Sequence, residues 1–165
     1  AHAERVVLHL GCGSDPRIMV AVPPRWPFIR VCWLEFACPG KEGRLLKSSD
    51  VAYVFGAYPP IEPGRFLLRG WSLNTDGYTN KNGHPSPRRL THVSWLVNEF
   101  SRGITLDPFA GSGTTLEAAK NAGRSAIGIE IEPKYCEIAV KRLPQEVLPL
   151  GAFSAPGAPS RRDER

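Results

Sequence analysis

Two glycine turns in this chain have the makings of a small-molecule cradle. The first lies in "RVVLHLGCGSDP" (5–16), the second in "ITLDPFAGSGTT" (104–115). A nucleoside cradle needs a strand that delivers the chain to a sheet edge and glycines that let the backbone approach the ligand. It also needs a helix whose unpaired N–H groups face the ligand. An acid at the end of the next strand can then take the ribose hydroxyls. The second turn has every part. Its strand ends in Asp107, Gly111 and Gly113 flank Ser112, a helical pattern starts at once, and Glu130 ends the following strand. The first turn has Gly11 and Gly13, with Glu35 in the place of the ribose acid, but prolines at 23, 24 and 27 forbid a helix after it.

The kind of nucleoside follows from what surrounds the second turn. A P-loop places Lys before Thr, whereas Gly113 runs directly into Thr114. A dinucleotide fingerprint places a third Gly or Ala where this chain has Leu116. An acid, not a phosphate cradle, stands at the mouth of the turn. Asp107 suits a ligand with an ammonium group, and S-adenosyl-L-methionine has both that group and a ribose.

The elements that must position these residues can be read from pattern. Strands are expected at 5–11, 28–36 and 50–56, rich in Val, Ile and aromatics. Residues 57–83 hold Gly, Pro, Asn and Thr throughout and read as a long loop or small irregular insertion. Leu90, Val93, Leu96, Val97 and Phe100 recur at helical spacing within 88–101. Beyond it come a strand (104–110), a helix closed by Gly123, a strand (125–131), and a helix opened by Pro133. This β-α-β-α order predicts two parallel neighbouring strands joined by a right-handed crossover. Residues 1–150 read as one domain, with 57–83 as its loop and 84–150 as its cofactor-binding half. The Gly-, Pro- and charge-rich tail at 151–165 is expected to be disordered.

Composition sets broad limits. The 165 residues are 42% hydrophobic and 22% charged, enough for a packed core. No apolar run approaches the ~20 residues of a membrane span. The net charge of +5 favours approach to a polyanion. Cys12, Cys32, Cys38 and Cys136 have neither CxxC spacing nor nearby histidines, so they read as thiols in a reducing, cytoplasmic setting rather than as a metal site.

"DPFAGSGTT" followed by "AIGIEIEPKYCEIAVKRL" resembles the cofactor region of the amino-methylating DNA methyltransferases, the N6-adenine and N4-cytosine family. "GHPSPRRLTHVSWLV" resembles that family's His-Pro motif, which precedes the helix beside the methionine end of the cofactor. The order of the two matches the permuted class, in which the catalytic half comes first. The resemblance implies an α/β, Rossmann-like S-adenosylmethionine-dependent methyltransferase fold that acts on double-stranded DNA in restriction-modification systems of bacteria or phage. It places Asp107 at the cofactor's amino group, Phe109 at the loop wall, Gly111, Ser112 and Gly113 at backbone contacts, and Glu130 at the ribose. His84, Pro85 and Ser86 would line the methionine side. Where the family has Lys-Pro, this chain has Arg88-Arg89, which keeps the charge and loses a rigid turn residue.

"WLEFACPGKEGRLLKSSDVAYVFG" is similar to the family's Trp-containing strand, basic loop and returning strand, with Trp33 and Phe55 expected in the core and Lys41, Arg44 and Lys47 either at phosphates or on a solvated loop. The catalytic Asp/Asn/Ser-Pro-Pro-aromatic motif is not found. "AYPPIEP" (57–63) has Tyr58 where an acceptor belongs and Ile61 where an aromatic belongs. In the resemblance, that motif ends a strand lying between 104–107 and 5–11. Its lack here predicts an incomplete sheet, either of an N-terminally truncated methyltransferase or of a degenerate S-adenosylmethionine- or DNA-binding relic. Adenine and cytosine targets, the recognition sequence and the oligomeric state stay open.

Overall fold

The computed structural model describes residues 3–11, 13–59, 69–75 and 88–143. His84, Pro85, Ser86 and the tail lie outside the described residues. Four strands form the first sheet: β1 (Arg5–Leu10), β2 (Phe28–Glu42), β3 (Leu45–Gly56) and β4 (Trp71–Asn74). Their order is β1-β3-β2-β4. β3 is antiparallel to both β1 and β2, and β4 is parallel to β2. It follows that β1, β2 and β4 point the same way.

Three features of this half differ from the sequence expectation. The stretch after the first glycine turn is a 3-10 helix, Pro16–Ala21, not an irregular link. The Asp15 side chain accepts from the Arg17 N–H and Pro16 opens the turn, so the prolines from 23 onward end this helix rather than forbid it. The basic loop is no loop: β2 and β3 run on to a tight hairpin at Gly43-Arg44, where Glu42 faces Leu45. Gly43 has φ 59°, the left-handed value that a two-residue hairpin turn requires. Within 57–83, Trp71–Asn74 is a strand, paired Trp33↔Trp71 with β2.

Helix α1 (Leu90–Phe100) covers one face of this sheet. Its Leu96 and Phe100 enter a core with Cys32, Leu34, Ala52 and Val54. Burial of each larger member, Leu34, Val54, Leu96 and Phe100, contributes roughly 1.5–3 kcal/mol relative to exposure. On the opposite face Phe55 is buried as expected, but Trp33 is 54% exposed and so is not core. Alternation along β2 explains it, because Cys32 and Leu34 face α1 and Trp33 must face away.

The second sheet pairs β5 (Thr105–Asp107) with β6 (Ala126–Gly128), parallel as predicted, in register Leu106↔Ile127. Helix α2 (Thr114–Asn121) connects them. α1 serves both sheets, since its Val93 and Val97 pack on Ala118 and Ala119 of α2. α3 (Pro133–Arg142) follows β6. No hydrogen-bonded ladder joins β5 to β1 among the described residues, so the sheet is interrupted where the missing strand was expected.

Chain direction places the ends of these strands. The first turn of α1 lies over the middle of β2, with His92 Nε2 3.0 Å from the Glu35 carbonyl oxygen and Arg89 stacked over the Phe36 ring at 4.3 Å. Its last residue lies beside the start of β1, where Arg5 Nε donates to the Phe100 carbonyl at 2.7 Å. α1 is thus antiparallel to β1, and β5 starts from the β1-start side. Ser101, which follows α1, lies beside the start of β5, its hydroxyl 2.8 Å from that of Thr105.

Candidate functional site

The glycine turn is stitched into the second sheet before any side chain acts. Ile129 N donates to Asp107 O, and Ala110 N donates to Ile129 O, each at 2.9 Å, so backbone pairing continues past the strand ends. Gly111 (φ 52°) and Gly113 (φ 81°) both occupy the left-handed region. At Gly113 two constraints coincide. A Cβ there would be strained by φ and would sit 2.9 Å from the Ala139 Cβ of α3. α3 therefore packs directly on the back of the turn, and only glycine fits between.

Both predicted carboxylates stand at this turn. Asp107 Oδ1 accepts from the Phe109 N–H at 3.0 Å, which fixes the Pro108-Phe109 bend as an Asx-type turn. Glu130 Oε2 accepts from the Gly111 N–H at 2.7 Å, and its Oε1 accepts from the Glu132 N–H at 2.9 Å. Sequence reasoning assigned Glu130 to a ribose; the geometry adds a second task, holding the glycine turn in shape. Ser112 and Thr114 are buried, and Phe109 is 87% exposed at the turn's rim. The N-terminus of α2 has no side-chain cap, which leaves its first N–H groups without a local acceptor of that kind.

One residue that the sequence reading passed over braces the turn from behind. Arg142, in the last turn of α3, pairs with Glu117 of α2. It also donates to the Thr114 hydroxyl at 3.0 Å and to the Ser112 carbonyl at 3.4 Å. Nothing in local spacing links positions 117 and 142; only the fold brings them together.

These groups fit a ligand bearing an ammonium and a ribose. An ionised carboxylate offers about four lone-pair sites. Beyond its backbone bond, Asp107 keeps a second carboxylate oxygen on the turn. The first glycine turn is built otherwise. It ends β1 with a backbone bond from Ser14 N to Gly11 O at 2.9 Å and leads into the 3-10 helix. Beside it, Arg88 bridges Asp50 Oδ2 (3.1 Å) and the His9 carbonyl (3.2 Å). His9 Nε2 lies 3.5 Å from the same carboxylate oxygen. Burial lowers the His9 pKa against the opposing pull of Asp50, which keeps this imidazole neutral near pH 7.

A parallel β-α-β unit with an acid-tipped glycine turn defines the class, a Rossmann-like domain with the fold of S-adenosylmethionine-dependent DNA methyltransferases. Comparison with known proteins gives similarities to DNA methylases. Residues 62–141 match the family model N6_N4_Mtase, described as DNA methylase. The chain is 60% identical over 101 residues to type II methyltransferase M2.LlaDCHI of Lactococcus lactis subsp. cremoris, which is 59% of this chain and 38% of that protein. It is 58% identical over 98 residues to type II methyltransferase M2.DpnII of Streptococcus pneumoniae, covering 57% of this chain and 37% of that one. Its fold superimposes on the crystal structure of the M1.HpyAVI–SAM complex with a TM-score of 0.67 at 24% identity, over 86% of this chain and 74% of the other. The chain spans less than half the length of these two curated relatives.

Proposed function

We propose that this chain carries the cofactor-binding half of an S-adenosylmethionine-dependent DNA methyltransferase that modifies the exocyclic amine of adenine (N6) or cytosine (N4). The observation that carries the reading is the turn itself, with Asp107 at the end of β5, Glu130 two residues past its parallel partner β6, and Gly111 bonded to Glu130. In this reading Asp107 takes the ammonium of the methionine part and Glu130 takes the ribose hydroxyls. The backbone at 111–113 lies against the nucleoside, Phe109 forms a wall, and His84, Pro85 and Ser86 line the methionine side. When bound, the cofactor supplies a methyl group on a sulfonium. The task of these residues is to hold it in line with the acceptor nitrogen, because positioning contributes more to this transfer than a strong base.

The amine's lone pair is delocalised into the base, and a Pro-Pro-aromatic motif of the kind that localises it is not found in residues 1–165. That observation favours a second reading, a non-catalytic protein that binds S-adenosylmethionine or DNA. Methyl transfer from labelled S-adenosylmethionine to unmodified duplex DNA separates the two. The first reading predicts incorporation that is lost in Asp107→Ala, with catalytic groups supplied by further sequence if the chain alone is silent. Cofactor binding with no transfer in either setting supports the second.

A further inference from the structure

The β2–β3 ribbon extends well past the packed sheet. Between the pairs Glu35↔Ser49 and Gly40↔Lys47 the register shifts, so residues 36–39 oppose Ser48 alone. A bulge of that size, with Pro39 inside it, bends a ribbon away from its sheet. Beyond it the hairpin stands in the open. Leu45 and Leu46 are 71% and 65% exposed, and a Cβ built on Gly40 or Gly43 meets nothing within 4 Å. Lys41 and Arg44 are exposed on the same tip, with Lys41 directly across from Leu46. The arm leaves the sheet on the side where β1 ends, beyond the pair Leu10↔Val51. The first turn of α1 is fastened to its root through Arg89 over Phe36 and His92 on the Glu35 carbonyl.

We propose that residues 40–47 form an arm that grips double-stranded DNA. A two-stranded ribbon is narrow enough for the major groove. Lys41 and Arg44 supply the charge that phosphates attract, and Leu45 and Leu46 give the tip an apolar surface of the kind that packs on sugars and base edges. An exposed leucine pair at a hairpin tip needs such cover, and charge complementarity selects a polyanion over an apolar partner. The inference rests on the reading of this chain as a DNA-methyltransferase half.

The test is duplex binding by the full 165-residue chain, followed by fluorescence anisotropy on mixed-sequence unmodified DNA between about 50 and 200 mM salt. Lys41→Gln/Arg44→Gln is expected to weaken binding roughly tenfold at the upper salt and to reduce the slope of log K against log salt by about 2, as two lost phosphate contacts require. Leu45→Ser/Leu46→Ser is expected to weaken binding several-fold with the slope unchanged. Both variants keep wild-type S-adenosylmethionine affinity and thermal midpoint, because the tip touches neither core nor turn. Wild-type affinity and slope in the charge variant overturn the proposal. A wild-type chain that binds S-adenosylmethionine but no duplex overturns the arm and leaves the cofactor reading standing. One that binds neither removes both.

Discussion

The two sheets of this molecule are stabilised in opposite ways. The four-stranded sheet is held by long ladders and by side chains that α1 buries on one face, among them Leu34 and Val54 at 0% exposure. The two-stranded sheet has only three residues per strand, and its Leu106 and Ile127 are 59% and 53% exposed. Parallel strands usually stay buried on both faces. What organises the smaller sheet is polar: Asp107 and Glu130 clasp backbone N–H groups, and Arg142 clasps Ser112, Thr114 and Glu117. A turn built from carboxylates and backbone dipoles can exchange some of those contacts with a ligand, whereas an apolar core cannot. The proposed binding site thus lies in the polar small sheet, and the rigid apolar packing lies in the large one.

The largest expected effect comes from breaking the small sheet at its tightest point. Gly113→Ala must hold φ near 81° with a side chain and push Ala139, and α3 with it, away from the turn. The left-handed conformation alone costs roughly 1–2 kcal/mol, and the overlap adds to it. Urea denaturation is expected to show a loss on the order of 2–4 kcal/mol, with S-adenosylmethionine binding lost at ordinary concentrations.

A smaller effect sharpens the other side of the comparison. His92 is fully buried between the large sheet and α1, stacked on Phe36, and its Nδ1 has no hydrogen-bond partner among the described residues. Burial pulls its pKa down from 6.5 to about 4, against the Glu35 carbonyl bond that raises it. The unfolded chain therefore takes up this proton first as the pH falls. Stability present above pH 6.5 is lost progressively down to about pH 4, by an amount on the order of 3 kcal/mol. Denaturation midpoints of the wild type should fall across that window, and those of His92→Gln should fall less. Parallel curves for the two proteins would assign the acid sensitivity elsewhere.

Much of the small sheet was legible in sequence because its signals are local. A strand ending in Asp107, glycines two apart and a helix closed by Gly123 are each set by backbone rules that act over a few residues. Its parallel pairing followed from the crossover. The large sheet was less legible. The ribbon between Glu35 and Ser49 looked like a basic loop, since Pro39, Gly40 and Gly43 are turn formers and the bulge hides the alternation. β4 is four residues long and gains its place from pairing with Trp33, which no local pattern announces. Glu130's grip on Gly111 and Arg142's brace were invisible for the same reason, as each joins positions 19 and 25–30 residues apart through the fold.

The central claim is that Asp107 and Glu130 together hold S-adenosylmethionine at the glycine turn. Isothermal titration of the cofactor into wild type, Asp107→Ala and Glu130→Ala tests it most directly. The wild type should bind one equivalent. Each variant should bind at least about tenfold more weakly, the loss expected when a charge-assisted hydrogen bond is removed. Unchanged affinity in both variants, or a wild type that binds no cofactor, would contradict the account.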